Sequence, residues 1–171
     1  ESVDYQEVEI IQRNSDEFNI EEVDKKLRVY IEPELSQKLV SFANKQEVLN
    51  EIKSKASQNE KFNDELKCHV GKIVSGSALM RAPERFEEII RSNKGVVGLD
   101  METHGFYYAC KHTKTKELAP LFASIKSISD FGENKPKYDE AVKHPAIRQE
   151  YACSTSSLFL FEFLFEYYSD K

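Results

Sequence analysis

Apolar positions along the chain follow two different rhythms. In residues 5–12 (YQEVEIIQ) Val8 and Ile10 alternate with polar neighbours, the period-two signature of a short strand, and a charged stretch over residues 16–26 follows. Pro33 stands where a first helical turn begins, and Leu35, Leu39, Val40 and Phe42 recur behind it at helical spacing. Val48, Leu49 and Ile52 repeat the pattern, so two amphipathic helices are predicted. The polar segment 57–65 (SQNEKFNDE) reads as a connecting loop.

From residue 69 onward strands and helices alternate. Residues 69–75 (HVGKIVS) read as a strand ending at Gly76, and 83–92 (PERFEEIIRS) as a helix with Phe86, Ile89 and Ile90 on one side. Residues 95–101 (GVVGLDM) form a second strand that runs straight into a helix over 102–111, and 121–128 a third strand. The run 158–168 (LFLFEFLFEYY) is ambiguous, because Phe159, Phe161, Phe163 and Phe165 alternate while Glu162 and Glu166 sit four apart. It is long for a strand, so a terminal helix over 146–168 is predicted, burying most of its circumference and keeping one acidic stripe. Together these elements imply an α/β fold with a mixed, largely parallel central sheet flanked by helices.

Composition narrows the class. A chain of 171 residues with 40% hydrophobic residues, 11 Phe and 8 Tyr is expected to fold as a single domain over 1–171, with an acidic region over 1–68 and the strand–helix alternation in 69–171. The net charge of -6 resides in residues 1–70, which argues against wrapping a nucleic-acid backbone or coating an anionic membrane and favours a small ligand or protein partner. Cys68, Cys110 and Cys153 form no CxxC and no zinc-like spacing, so a reducing cytoplasm is the simplest setting. No apolar run reaches the roughly 18 residues of a membrane span, and the first residues hold no signal core. The chain opens on Glu1, which suggests that it does not begin at a natural N-terminus.

In a parallel sheet, ligands bind beyond the carboxyl ends of the strands. The first strand ends in Ser75-Gly76-Ser77-Ala78-Leu79-Met80, the second in Asp100-Met101-Glu102, the third in Ser129-Asp130. Glu102 and Asp130 are therefore expected over one sheet edge, the outline of a pocket. His104, His112 and His144 have neither the spacing nor the acidic neighbours of a metal site and are expected in solvent; no metal or cofactor is predicted. Cys110 reads as packing, and Lys111, Lys114 and Lys116 as a solvated basic run.

Three segments, GKIVSGSALM, VVGLDMETHGFYYAC and SIKSISDFGE, resemble in order and spacing the signature segments of the nucleoside phosphorylase and nucleosidase superfamily. The resemblance covers residues 69–168. It is nearest in kind to nucleosidases of the methylthioadenosine/S-adenosylhomocysteine type and to related domains fused to bacterial signalling or defence modules.

The resemblance implies cleavage of the bond between a purine and its ribose, with Asp130 as general acid. A purine leaves at lower cost once N7 is protonated, so Asp130 must hold its proton near neutral pH, which burial or repulsion from Glu102 favours. On position alone Asp130 serves equally as a cap for Phe131 and Gly132. Glu102 matches the carboxylate that accepts hydrogen bonds from the ribose hydroxyls, although an acid also suits any helix start. Met101 is expected against the ribose, and Leu79 and Met80 beside the base, where the family often has Phe at the first of the two. Ser77 stands where the nucleosidases usually have Asp, and Lys126 where many have Arg. Ser129 is expected to bond the base, to position Asp130, or simply to cap its strand.

The family's Gly-rich phosphate or ribose loop and its water-activating acid are not recognisable in residues 1–70, since all six glycines lie between Gly71 and Gly132. A preceding half absent from this chain, more than a diverged inactive copy, is the expected reason. The reading is thus hydrolysis, in preference to phosphorolysis, of a purine nucleoside or nucleotide by a cytoplasmic homo-oligomer, a dimer, with a role in signalling or defence. The alternative is a catalytically inactive nucleotide-sensing or dimerisation module.

Overall fold

The computed structural model of the protein describes residues 8–12, 18–22, 29–56, 65–76, 83–113, 120–129 and 145–169. In chain order these hold β1 (Val8–Gln12), β2 (Phe18–Glu22), α1 (Pro33–Ala43), α2 (Gln46–Ala56), β3 (Lys72–Ser75), α3 (Pro83–Ser92), β4 (Val96–Asp100), α4 (Thr103–His112) and α5 (Pro145–Ser169). The chain forms two compact units, one from residues 1–33, 71–79 and 90–123, the other from 34–70, 80–89 and 124–171. Both units draw on both sides of residue 69.

In the first unit β1 and β2 pair antiparallel, Ile10 opposite Ile20 and Val8 opposite Glu22. The charged stretch after residue 12 therefore contains a strand that hydropathy did not reveal. Phe18 and Ile20 do alternate with polar Asn19 and Glu21, but the acids at 16, 17 and 22 dilute the period. β3 and β4 pair parallel, with Val74 opposite Leu99 and Ser75 opposite Asp100, and a register shift between Lys72 and Ile73. Parallel strands need a crossover connection, and α3 lies in the one between them. Gly95, at φ +83°, turns the chain into β4 in a conformation that side chains resist. At Gly71 a Cβ would come within 2.6 Å of Val97 Cγ1, so the bulged start of the ladder requires glycine there.

The parallel sheet is smaller than the alternation of elements implied. Among the described residues it has two strands, and 120–129, expected to hold a third, hold none. Apolar residues make a strand only where a ladder partner accepts their amides, and the side chains here have other contacts. Within the first unit the Phe122 ring lies 4.9 Å from that of fully buried Tyr107. Within the second unit Ser127 Oγ lies 2.7 Å from Thr155 Oγ1 on α5.

The second unit is organised around α5. Leu35, Leu39 and Phe42 of α1 and Leu49 and Ile52 of α2 are buried, as their spacing predicts, and Asn44 Nδ2 donates back to Val40 O at the end of α1. On α5 the buried positions are Ala152, Thr155, Phe159, Phe163 and Tyr167, a single face at spacings of three and four. Phe42 meets this face edge-on, its ring centroid 5.0 Å from Phe159 and 5.5 Å from Phe163. Glu162 accepts from Lys55 at 2.9 Å and Glu166 pairs with Lys45, so the two acids four apart turn toward α1 and α2. The ambiguous run is thus a helix, but it buries one face and not most of its circumference. Phe161 and Phe165 remain 67% and 74% exposed.

Hydrogen bonds that the Lys55 ammonium donates to Glu51 and Glu162 push it above the ordinary lysine range. Lys55 is exposed, and ion pairs screened by water in this way add little to stability. The buried aromatic contacts therefore decide the stability of this unit. Phe42→Ala is expected to destabilise it by about 3–5 kcal/mol, whereas Lys55→Ala is expected to change stability far less. Urea unfolding of both variants checks the ranking, and a larger loss from Lys55→Ala contradicts it.

Candidate functional site

The carboxyl ends of β3 and β4 are built into the start of α4. Ser75 and Asp100 stand opposite one another in the last register position, and the ladder continues one step further as Gly76 N–H donates to Asp100 O at 3.0 Å. Only Met101 and Glu102 separate β4 from α4, so the first amides of the helix emerge directly above the strand ends. An α-helix leaves those amides without intrahelical acceptors. Asp100 Oδ1 accepts the Thr103 N–H at 3.3 Å, and the Thr103 hydroxyl donates to the other oxygen of the same carboxylate. Ser75 Oγ accepts the His104 N–H at 3.1 Å. Ser75 and Thr103 are almost wholly buried, so these bonds form away from competing water.

Glu102 occupies the N-cap position in backbone terms, with φ −118° and ψ −30°, but its side chain makes no capping hydrogen bond. Asp100 does the capping. The carboxylate of Glu102 is exposed at the positive end of the helix, beside Met101, which is 46% exposed. This separation of roles has a chemical consequence. With the Thr103 and His104 amides already satisfied inside the protein, they are not offered to a phosphate, and the acceptor presented here is a carboxylate. Carboxylates take hydrogen bonds from hydroxyl groups, two at once when the geometry permits.

Ser129 lies in the second unit, on a shallow recess of about 240 Å³ lined by Ile125, Lys126, Ser127 and Ser129 and by Gln149, Ala152, Cys153 and Ser156 of α5. Thr155 donates its hydroxyl proton to Tyr151 O at 2.9 Å, which leaves Ser127 as the donor in the Ser127–Thr155 bond. That bond holds the segment before Ser129 on α5. Asp130, Ser77, Leu79 and Met80 lie outside the described residues, as do His144, Lys114 and Lys116.

His112 is exposed as expected, but His104 is half-buried, its ring 6.0 Å from that of Tyr108. Cys68, Cys110 and Cys153 are free thiols, and burial pushes Cys68 above its usual range, away from nucleophilic use. Among the described residues no three His, Cys, Asp or Glu side chains converge as metal ligands, and no helix is long and apolar enough to cross a membrane.

The profile of the phosphorylase superfamily matches residues 11–158. The chain belongs to that superfamily. The match reaches well upstream of residue 69, so the resemblance confined to 69–168 was too narrow: β2, α1 and α2 are part of the superfamily domain. The acidic, glycine-free composition of the first 70 residues had hidden them. Among curated proteins the chain is similar to "Uncharacterized protein y4jS" of Sinorhizobium fredii (strain NBRC 101917 / NGR234), 31% identical over 67 residues. That stretch is 39% of this chain and 16% of the relative's own length. No solved structure matches the chain.

Sequence reasoning singled out Glu102 and Met101 as candidates but not Ser75 and Asp100, whose side chains bond the first residues of α4. A signal was present: Asp100 precedes Thr103 by three, the spacing of an acid that caps a helix start. Asp100→Ala is expected to cost about 0.5–2 kcal/mol as a lost cap. Ser75→Ala is expected to cost about 1–3 kcal/mol because it strands a buried amide. Hydrogen exchange supplies the local check: protection at His104 N–H falls in Ser75→Ala while the β3–β4 ladder stays protected. Unchanged exchange at His104 removes the assigned bond.

Proposed function

We propose that this phosphorylase-superfamily chain hydrolyses the N-glycosidic bond of a purine nucleoside or nucleotide in a reducing cytoplasm, with a signalling or defence role. The observation that carries the reading is the placement of Glu102, an exposed residue, beyond the carboxyl end of a parallel strand pair and at the start of α4. A sugar with vicinal hydroxyls supplies the two donors that such a carboxylate accepts. Met101, exposed beside it, offers an apolar surface for the ribose face.

In this reading Asp130 delivers a proton to N7 of the departing base while positive charge develops on the ribose, and Ser129 orients Asp130 or the base. Leu79 and Met80 flank the base, and Ser77 and Lys126 tune which nucleoside is accepted. Preference for hydrolysis and for a substrate of the methylthioadenosine or S-adenosylhomocysteine kind rests on the resemblance of the three signature segments. Water then takes the place of phosphate as nucleophile.

Incubation of the full-length protein with adenosine, methylthioadenosine, S-adenosylhomocysteine and ATP, followed by chromatography for free adenine, tests the reaction. Release of adenine without added phosphate supports hydrolysis; release only with phosphate reassigns it to phosphorolysis; binding without release under either condition leaves a nucleotide-sensing module. With activity in hand, Asp130→Asn is expected to lower turnover by roughly 100- to 10,000-fold on natural substrates, because the amide keeps the shape and has no proton to give. A nucleoside whose base already leaves readily should lose much less. Equal fractional losses on both would make Asp130 a structural cap.

A further inference from the structure

Two residues of α4 go against what a helix surface ordinarily carries. Residues three and four apart on a helix are neighbours, so Gly105 and Phe106 both border Glu102 from the next turn, and the Phe106 N–H donates to Glu102 O at 3.2 Å. Glu102, Gly105 and Phe106 are all exposed. A lysine four residues after a glutamate would pair with it and steady the helix; a phenylalanine there does not. The Phe106 ring meets that of Tyr107, tilted at 5.8 Å, yet Phe106 remains 51% exposed. Glycine inside a helix is less favourable than alanine, and a Cβ at Gly105 would meet nothing within 4 Å. Packing within the protein therefore does not require glycine at 105 and leaves half of Phe106 unused.

Positions that break a local rule without a structural gain are where a fold serves its ligand. Helical side chains lean toward the N-terminus, so Phe106 leans toward the turn that carries Glu102. The missing side chain at Gly105 lets a bound molecule come close to the backbone beside it. Small-molecule sites pair an apolar or aromatic wall with a few placed polar groups. A ribose calls for that pairing: its hydroxyls suit a carboxylate, and the C–H bonds of the same carbons suit an aromatic ring.

We propose that Phe106 and Gly105 complete the sugar site at the start of α4 and determine its specificity. Phe106 packs on the C–H side of the ribose carbons whose hydroxyls Glu102 binds, and the edge of the sugar passes over the bare backbone of Gly105. The inference rests on the assignment of Glu102 to the ribose made above. Calorimetric titration of the full chain with adenosine, and separately with adenine, tests it. Phe106→Ala is expected to weaken adenosine binding about tenfold and to leave adenine binding unchanged. Gly105→Ala is expected to act with opposite signs on fold and ligand: the thermal midpoint rises by about 2 °C, while adenosine binding weakens at least ~5-fold. A glycine without a role at the site would give the first effect and not the second. Tyr108→Ala, which removes an exposed aromatic ring from the same helix but not from the turn next to Glu102, should bind adenosine as the wild type does. Adenosine affinity that is unmoved in both Phe106→Ala and Gly105→Ala, or that falls equally for adenine, overturns the inference. Glu102→Gln separates the two levels: if it weakens adenosine binding while those two variants do not, the ribose assignment stands and Phe106 and Gly105 have no part in it. If Glu102→Gln is also without effect, or the wild type takes no adenosine at about 1 mM, the assignment falls and this inference with it.

Discussion

The hydrogen bonds from the first amides of α4 to Ser75 and Asp100 are the constraint on which the candidate site depends. A helix start placed above two strand ends exposes donors that must be satisfied, and in many proteins a bound anion does so. Here the last residues of β3 and β4 supply the acceptors, in positions enforced by their parallel register. The strand pair and the helix are thereby joined as one piece, and the link of two residues between them cannot move far. Glu102 stands exposed on that link, and its side chain makes no capping hydrogen bond.

The second unit is held by a different kind of interaction. Phe42 wedges into the inner face of α5 between Phe159 and Phe163, and the lysine–glutamate pairs border that contact without dominating it. Committing Glu162 and Glu166 to the inner side has an effect on the outer one, because an uncharged apolar stripe is what remains.

Much of the architecture was legible in the chain because helices of three turns or more leave a repeated signal. α1, α2, α3, α4 and α5 fall where the spacing put them, and α5 was a helix despite its alternating phenylalanines. Strands were less legible. β2 has two apolar positions among acids, and residues 121–128 have a strand's composition without a ladder partner among the described residues; pairing is a property of the neighbour and is not written in the segment itself. At the site, Glu102 and Met101 could be named from the segment they share with the superfamily, whereas Ser75 and Asp100 could be found only by seeing which amides they face. The upstream reach of the superfamily domain was obscured by composition, since the absence of glycine was taken to speak for the whole region.

The account turns on Glu102 receiving the sugar of a nucleoside at the start of α4. Amide chemical-shift mapping with adenosine and, separately, with adenine addresses this directly in protein labelled with nitrogen-15. Adenosine should shift the amides of Glu102, Thr103 and His104, adenine alone should leave those three unmoved, and Glu102→Gln should weaken the response to the nucleoside while preserving the fold. Shifts at these amides that are the same for adenine and adenosine, or a nucleoside response confined to other parts of the chain, would contradict it.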